Sequence, residues 1–366
     1  MLSLYLLDRT ETNRWWLPFS QFSWTTQLNQ GQTGTIDVPY QLVQELAQNS
    51  GQTVRQLFFD NWRKIIIYDD DNETTLFKGV LTDSNLSGAS RGDLTLTLSF
   101  ADPACLLSKR FTPASQTYTD INLMTVAQAL LTQAQTAGDL GLTLGTVDTT
   151  DVTVSRTYKS TRILDALVAL SKNKIANGLE WQFNQNWQLD LRYPYLGNDK
   201  ENIIFDNSNI LSFQSQLGLL GSLVNRVNLK GANSSALATY TDQIAAGVWG
   251  VQEGYLSATD LSDADSLAER ATQYLAETAF PFYSHNLTLT VLGTAPTWTS
   301  YQVGDRLRVR LPELDLDEML RLTKRQLTYS NRTVQLTLTL SPQTASADFL
   351  QNYREVIRRL ERLENN

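Results

Sequence analysis

The chain has 366 residues and a net charge of −8, and 42% of it is apolar, including 8 Trp, 14 Tyr and 13 Phe. That length predicts about two to three domains with a real core, and the aromatic content excludes a disordered chain. The acidic balance argues against phosphate-backbone binding as the main activity. No apolar run reaches the ~20 residues of a bilayer span, and one cysteine, Cys105, excludes an internal disulfide framework and a cysteine-built zinc site.

The N-terminus, MLSLYLLDRTE, has neither the basic region nor the cleavage site of a secretory signal and reads as a first strand. Residues 1–110 are β-rich, with strands expected at Ser3–Leu7, Gln21–Leu28, Lys64–Tyr68, Thr75–Leu81 and Leu94–Phe100 and a short helix at Pro39–Gln48. In LTLTLSF, Leu94, Leu96, Leu98 and Phe100 share one face and threonines the other, as a half-buried strand requires. Residues 111–220 change character. Apolar residues at helical spacing predict helices over Thr119–Ala137 and Ser160–Ala176, each closed by a glycine, followed by a hairpin of Leu179–Phe183 and Trp187–Arg192. Residues 221–343 return to strands at Leu223–Lys230, Asn286–Leu292, Arg306–Leu311, Met319–Leu327 and Val334–Leu340. One helix interrupts them, opened by the capping-box-like pair Ser262 and Asp265 and ended by Pro281. In residues 344–366, Phe349, Tyr353, Val356, Leu360 and Leu363 are spaced 4, 3, 4, 3, a short heptad seam. Such a seam suits an oligomer axis, a partner helix, or packing back on its own domain.

Two stretches repeat one pattern. A strand, an acidic connector, a second strand and LTLTL follow one another from Lys64 and again from Arg306. Ile65 corresponds to Leu307 and Leu94 to Leu336, both 242 positions apart. The connectors carry Asp69, Asp70, Asp71 and Glu73 in one stretch and Glu313, Asp315, Asp317 and Glu318 in the other. One β unit used twice, with other material between the copies, accounts for this. The fold class expected is α+β, mainly β: two related β-barrel-like domains, an inserted α+β domain and a C-terminal helix.

Candidate chemistry is sparse. Gly88-Ala89-Ser90-Arg91-Gly92 matches G-x-S-x-G but leads into a strand rather than a helix, so a hairpin loop is the natural reading. His285 is the only histidine, and Cys105 sits in an apolar patch. The acidic connectors lack the glycine of a calcium loop and read as solvated hairpin tips. Glu180 with Asp190, beside Trp181 and Trp187, offers a carbohydrate-binding or glycan-hydrolysing alternative. No cofactor motif is present, and the expectation is a protein that is not an enzyme and needs no cofactor.

The order of parts resembles the central hub proteins at the distal end of phage tails, both the baseplate hub of contractile tails and the tail-tip hub of flexible ones. The resemblance rests on Phe100–Ala104, Leu164–Lys172 leading to Leu179–Phe183, Leu223–Lys230 ending at Gly231, Ala268–Ala271, and Tyr301–Leu307 with its Gly304-Asp305 turn. It implies a homotrimer whose two related barrels alternate to give pseudo-sixfold geometry. Its partners would be a hexameric distal tail or tail tube protein, a spike, needle or fibre, and the tape measure protein, with DNA only as passing cargo and no membrane. The place implied is the distal tail of a virion assembled in the host bacterial cytoplasm. The hub of a bacterial contractile injection system resembles it equally. Many members continue into lytic or receptor-binding regions, whereas this sequence runs to Asn366, so a separate protein is expected to supply those activities. The interface residues expected are Phe349, Tyr353, Val356, Leu360 and Leu363 of the seam. Asp69, Asp70, Asp71, Glu313, Asp315 and Asp317 are expected in loops facing neighbours.

Overall fold

Alternating apolar and polar residues over most of the chain dictate strands with one buried face, and these assemble into a large sheet. The computed structural model describes residues 2–58, 63–88, 94–171, 179–218, 223–231, 237–258, 261, 264–279, 282–292, 296–330 and 333–341. The expected C-terminal helix and its seam, and Ser90 and Ser262, lie outside the described residues.

The first unit comprises β1 (Leu2–Leu7), β2 (Arg14–Trp16), β3 (Gln21–Gln27), β4 (Thr33–Pro39), α1 (Tyr40–Asn49), α2 (Val54–Phe58), β5 (Lys64–Asp69), β6 (Thr74–Ser87) and β7 (Thr95–Ala101). After α3 (Ala104–Leu107) come β8 (Gln116–Asn122), α4 (Leu123–Gln135), β9 (Thr143–Val147), β10 (Thr153–Tyr158), α5 (Ile163–Ser171), β11 (Glu180–Phe183) and β12 (Gln188–Arg192). The second unit begins with β13 (Asp199–Phe205) and β14 (Ile210–Gly218). It then carries an elaboration of β15 (Arg226–Gly231), β16 (Ala238–Thr241), α6 (Gln243–Trp249), β17 (Glu253–Ala258) and α7 (Ala264–Thr278). It closes with β18 (Phe282–Leu292), β19 (Arg306–Leu311), β20 (Leu316–Ser330) and β21 (Thr333–Ser341).

Local chemistry sets several boundaries. The helix expected from Thr119 starts at Leu123, because Thr117, Tyr118 and Ile121 favour a strand and pair with β10. The Asn122 side chain then caps the helix, accepting from the Met124 and Thr125 amides at 2.9 and 3.4 Å. Asp242 caps α6 in the same way, through the Ile244 and Ala245 amides. The sequence alone does not predict β2, β4, β8–β10, β13, β14, β16 or β17.

The two units have the same strand order. One runs β3-β4-β7-β6-β5-β1 and the other β14-β18-β21-β20-β19-β13. The likeness reaches individual residues. Val80 of β6 pairs with both Lys64 and Ala101, as Arg321 of β20 pairs with both Arg306 and Ser341. A bulge follows at once in each, between Leu81 and Asp83 and between Leu322 and Lys324. The Leu81 amide donates to the Arg63 carbonyl at 3.0 Å, and the Leu322 amide to the Asp305 carbonyl at 2.8 Å. This register sets Leu96, rather than Leu94, in the position of Leu336. Extra residues at the β5–β6 bulge and in the β6–β7 connection absorb the two-residue difference, and a shift of two keeps the same face buried. The copies differ at the first strand, since β1 runs antiparallel to β5 and β13 parallel to β19.

The units also join each other. β3 pairs antiparallel with β20 from Gln21↔Ser330 to Gln27↔Lys324, which makes one sheet of thirteen described strands. A single apolar cluster underlies it, in which Trp24, Phe77 and Phe100 meet at ring distances of 5.7 and 5.1 Å among leucines of both units. Phe100 crosses beneath Gly34, where an added Cβ would lie 2.2 Å from its ring. The inserted α+β elements have a core of their own around Leu130, Leu167, Trp181 and Leu189, and β15 with α7 forms a third.

The alternation makes opposite demands on neighbouring positions. Ile36→Ala should cost about 2–5 kcal/mol by chemical denaturation, whereas Thr35→Ala, on the open face, should stay within about 0.5 kcal/mol.

Candidate assembly surface

The apolar faces of β18, β21, β20, β3, β4 and β7 are covered by the core, so their alternate residues form an open face that β14 and β6 continue at its two ends. Hydroxyls and amides line it. One cross-strand row reads Gln335, Thr328, Ser23, Thr35, Ser99, Asp83, and the next includes Thr337, Gln326, Thr25 and Thr33. Neighbours tie to each other: Gln326 Nε2 donates to Ser23 Oγ at 3.1 Å and Thr97 Oγ1 to Asp37 Oδ1 at 2.7 Å. Among the described residues, Lys324, Asp37 and Asp83 are the charges on this face of the paired span. Such a surface offers neither the cationic row that grips phosphates nor an apolar patch.

The inserted elements are fixed to this sheet by a buried ion pair. Arg321, 5% exposed, donates through Nη1 to Glu180 Oε1 at 2.6 Å and through Nη2 to Glu180 Oε2. Its remaining donors reach the Gly304 and Leu196 carbonyls at 3.1 and 2.8 Å, and Glu180 also accepts from the Leu196 amide at 2.6 Å. Gly197 and Gly304, with φ of +91° and +100°, let two turns meet there backbone to backbone. A Cβ on either would lie within 2.5 Å of the opposite chain. The resemblance's Gly304-Asp305 step is thus part of a joint, with Asp305 accepting from the Asn198 and Gln302 amides.

Asp102, from the Phe100–Ala104 segment, holds a second joint. Buried, it accepts from the Gln32 amide at 2.9 Å and the Ala104 amide at 3.0 Å. Burial outweighs these two bonds and pushes its carboxyl up to about 7. The Cys105 thiol is pushed up to about 12, first by burial and then by Asp102, so it is not a ready nucleophile.

The acidic connectors occupy corresponding tips, between β5 and β6 and between β19 and β20. Several of their carboxylates are held within the fold. Asp69 accepts from the Asp71 amide and Asn72 Nδ2 at 3.1 and 2.7 Å, Asp70 from Ser3 Oγ at 2.6 Å, and Glu313 from Asn207 Nδ2 at 2.6 Å. Asp315 has φ +51° and ends a one-turn helix. Asp317 accepts from Arg308 Nε and Nη2 at 2.7 and 3.0 Å, which holds its carboxyl below the usual range.

The carbohydrate alternative fails on its residues. Glu180 is engaged by Arg321, Trp181 is fully buried and Trp187 nearly so, so no sugar-stacking platform exists there. Asp190 opposes Gln182, not Glu180, and accepts from the Thr146 amide at 2.7 Å. Sequence reasoning missed the open face and the Glu180–Arg321 pair. The alternation of TGTIDVP at Thr33–Pro39 carried a signal for the first, whereas nothing local links residues 141 positions apart.

No family profile and no curated protein matches the sequence. Solved structures do match the fold. The 43 kDa tail protein of prophage MuSo2 from Shewanella oneidensis superposes with a TM-score of 0.67 at 11% identity, over 95% of this chain and 100% of that one. The tail protein from Neisseria meningitidis MC58 gives 0.63 at 14% identity, over 93% and 96%. The E. coli c3393 protein, a type VI secretion component described as structurally similar to the T4 tail proteins gp27 and gp5, gives 0.53 at 11%, over 92% and 76%. At these identities the likeness establishes the fold: that of phage tail proteins, along nearly the whole chain.

Two outcomes follow for the joints. Arg321→Met leaves Glu180 buried without its cation and should cost about 3–5 kcal/mol, with part regained in Arg321→Met/Glu180→Gln. The raised Asp102 carboxyl gives stability that is full below its unfolded pKa of about 4 and is lost as pH rises to about 7. Asp102→Asn should flatten that fall in a denaturation series across pH 4–7.

Proposed function

We propose that this protein is a structural hub of a phage tail, in which three chains form a ring of six related units. The observation that carries the reading is the duplicated unit, with its strand order, bulge and flanking hydrogen bond all repeated, in a chain with a tail-protein fold along nearly its full length. Two similar units per chain allow a trimer to present near-sixfold contacts to a hexameric tube or distal tail ring while keeping threefold contacts for a spike, needle or fibre. The open hydroxyl and amide face is the wall that suits a channel, because passing DNA, or a tape measure protein, finds little charge to hold it. The likeness to c3393 extends the same reading to the hub of an injection system. The ring acts mechanically and by docking, not by catalysis.

Under this reading the seam of Phe349, Tyr353, Val356, Leu360 and Leu363 gathers near the threefold axis. The tips bearing Asp69, Asp70, Asp71, Glu313, Asp315 and Asp317 face the adjoining ring. Light scattering on the full chain should give three copies per particle, and truncation after Ala345 should shift the particle towards one. A lasting monomer that cleaves peptidoglycan would overturn the assignment.

A further inference from the structure

A charge sits on the core side of the seam between β3 and β20. The alternation that buries Leu327 turns Arg325 to the same face, where it is 9% exposed. The Trp24 and Trp298 rings flank its guanidinium at 5.6 and 5.8 Å. Its Nη1 donates to the Trp298 and Tyr301 carbonyls at 2.9 and 2.8 Å. Among the described residues, no group accepts from its Nε or Nη2 and no carboxylate pairs with it. Arg321, four residues earlier in the same strand, shows the complete arrangement. Its fork closes on the Glu180 carboxylate, and its other bonds go to carbonyls. Arg325 matches it in the carbonyls alone.

Beside this guanidinium lies a cavity of about 140 Å³, room for several waters or one small ion. Every part of the fold contributes to its wall. Trp24 and Gln32 come from the first unit, Gln182 from the insert, Gln302 and Arg325 from the second unit, and Asp102 from the joint between them. The Gln32 side chain is fixed in place, accepting from Trp24 Nε1 at 3.1 Å and donating to the Phe183 carbonyl at 3.3 Å. Burial pulls Arg325 below the usual arginine range, while Tyr301 and Asp305 act the other way. A cation buried in this way is stabilised by a facing anion.

We propose that this cavity binds a small oxyanion, tetrahedral like phosphate or planar like a carboxylate, held by the Nε and Nη2 edge of Arg325. That edge presents two parallel N–H donors to two oxygens of one anion, a geometry that the point charge of a lysine does not offer. The flanking indoles hold the guanidinium plane, and the Gln182 and Gln302 amides bring further donors to the same cavity. All of these walls belong to one chain, so the anion ties both units and the insert together whatever the assembly. Asp102 tunes the site. Burial pushes its carboxyl up to about 7, and it lines the cavity with Arg325 and Lys78, while Cys105 and Lys109 follow it in the chain. Lys78 is itself held by Glu11 at 2.5 Å. While Asp102 is neutral the anion meets no like charge there, and its ionisation repels the anion.

The test is calorimetric titration of the full chain with sulfate and with acetate, at an ionic strength held constant with chloride. Neither anion changes its charge between about pH 6 and pH 8, so a pH dependence reports the protein. One anion per chain should bind at the lower pH, and the tighter of the two distinguishes a tetrahedral from a planar ligand. Affinity should fall about threefold to tenfold towards the higher pH, and Asp102→Asn should bind without that fall. Arg325→Lys keeps the charge but not the fork and should bind about tenfold more weakly. Hydrogen exchange on the native chain needs no variant: sulfate should slow amides in 24–32 and 296–303 and leave those in 243–249 unchanged. Equal affinity in a folded Arg325→Lys would overturn the site. So would binding of chloride as strong as that of the oxyanions, or slowed exchange that is uniform or nowhere found.

Discussion

The hydrogen-bonded seam between β3 and β20 is the constraint from which the rest of the molecule follows. It fuses two small sheets of like strand order, and it lets one apolar layer run beneath both. Burying that layer commits every second residue of six strands to the opposite face, so the open polar surface is the obligatory reverse side of the core. The inserted α+β elements need a separate anchor, and the Glu180–Arg321 pair provides it deep enough that either partner left alone would be a costly buried charge.

Much of the architecture was legible in the sequence, because the duplication repeats both the period-two pattern and the acidic tips. Arg306–Leu311 and Val334–Leu340 fold as their alternation requires, the apolar run Lys64–Tyr68 forms a strand with Ile65, Ile66 and Ile67 all buried, and the Trp181/Trp187 hairpin forms where expected. The offset of 242 holds at β5 and drifts to 240 by β7, since bulges and connections are free to gain a residue where no packing forbids it. Strand β4 escaped notice because Gly34 and Pro39 resemble turn signals. In the fold, Gly34 makes room for the Phe100 ring and Pro39 stands at the strand's end.

The candidate sites were harder to read. Acidic runs at Asp69–Asp71 and Glu313–Asp317 invite a ligand or partner, yet several of these carboxylates serve their own turns, and Asp317 is held by Arg308. Aromatic residues at Trp181 and Trp187 invite a sugar, yet they form the core of the insert. The open face of small polar groups has no residue signature. It depends on which strand lies beside which, information that the chain expresses only after folding.

The copies are least alike in the link between their first two sheet strands. Five residues, 28–32, connect β3 to β4, whereas positions 219–281 connect β14 to β18 and carry β15–β17 with α6 and α7. In the trimer proposed above, this elaboration would recur at every other unit, giving three lobes and three bare stretches around the circumference. Leu237, Ile244, Val248 and Tyr255 leave part of each lobe apolar and open to solvent. A partner that recognises the lobes would count three, and one that recognises the repeated hairpin tips would count six.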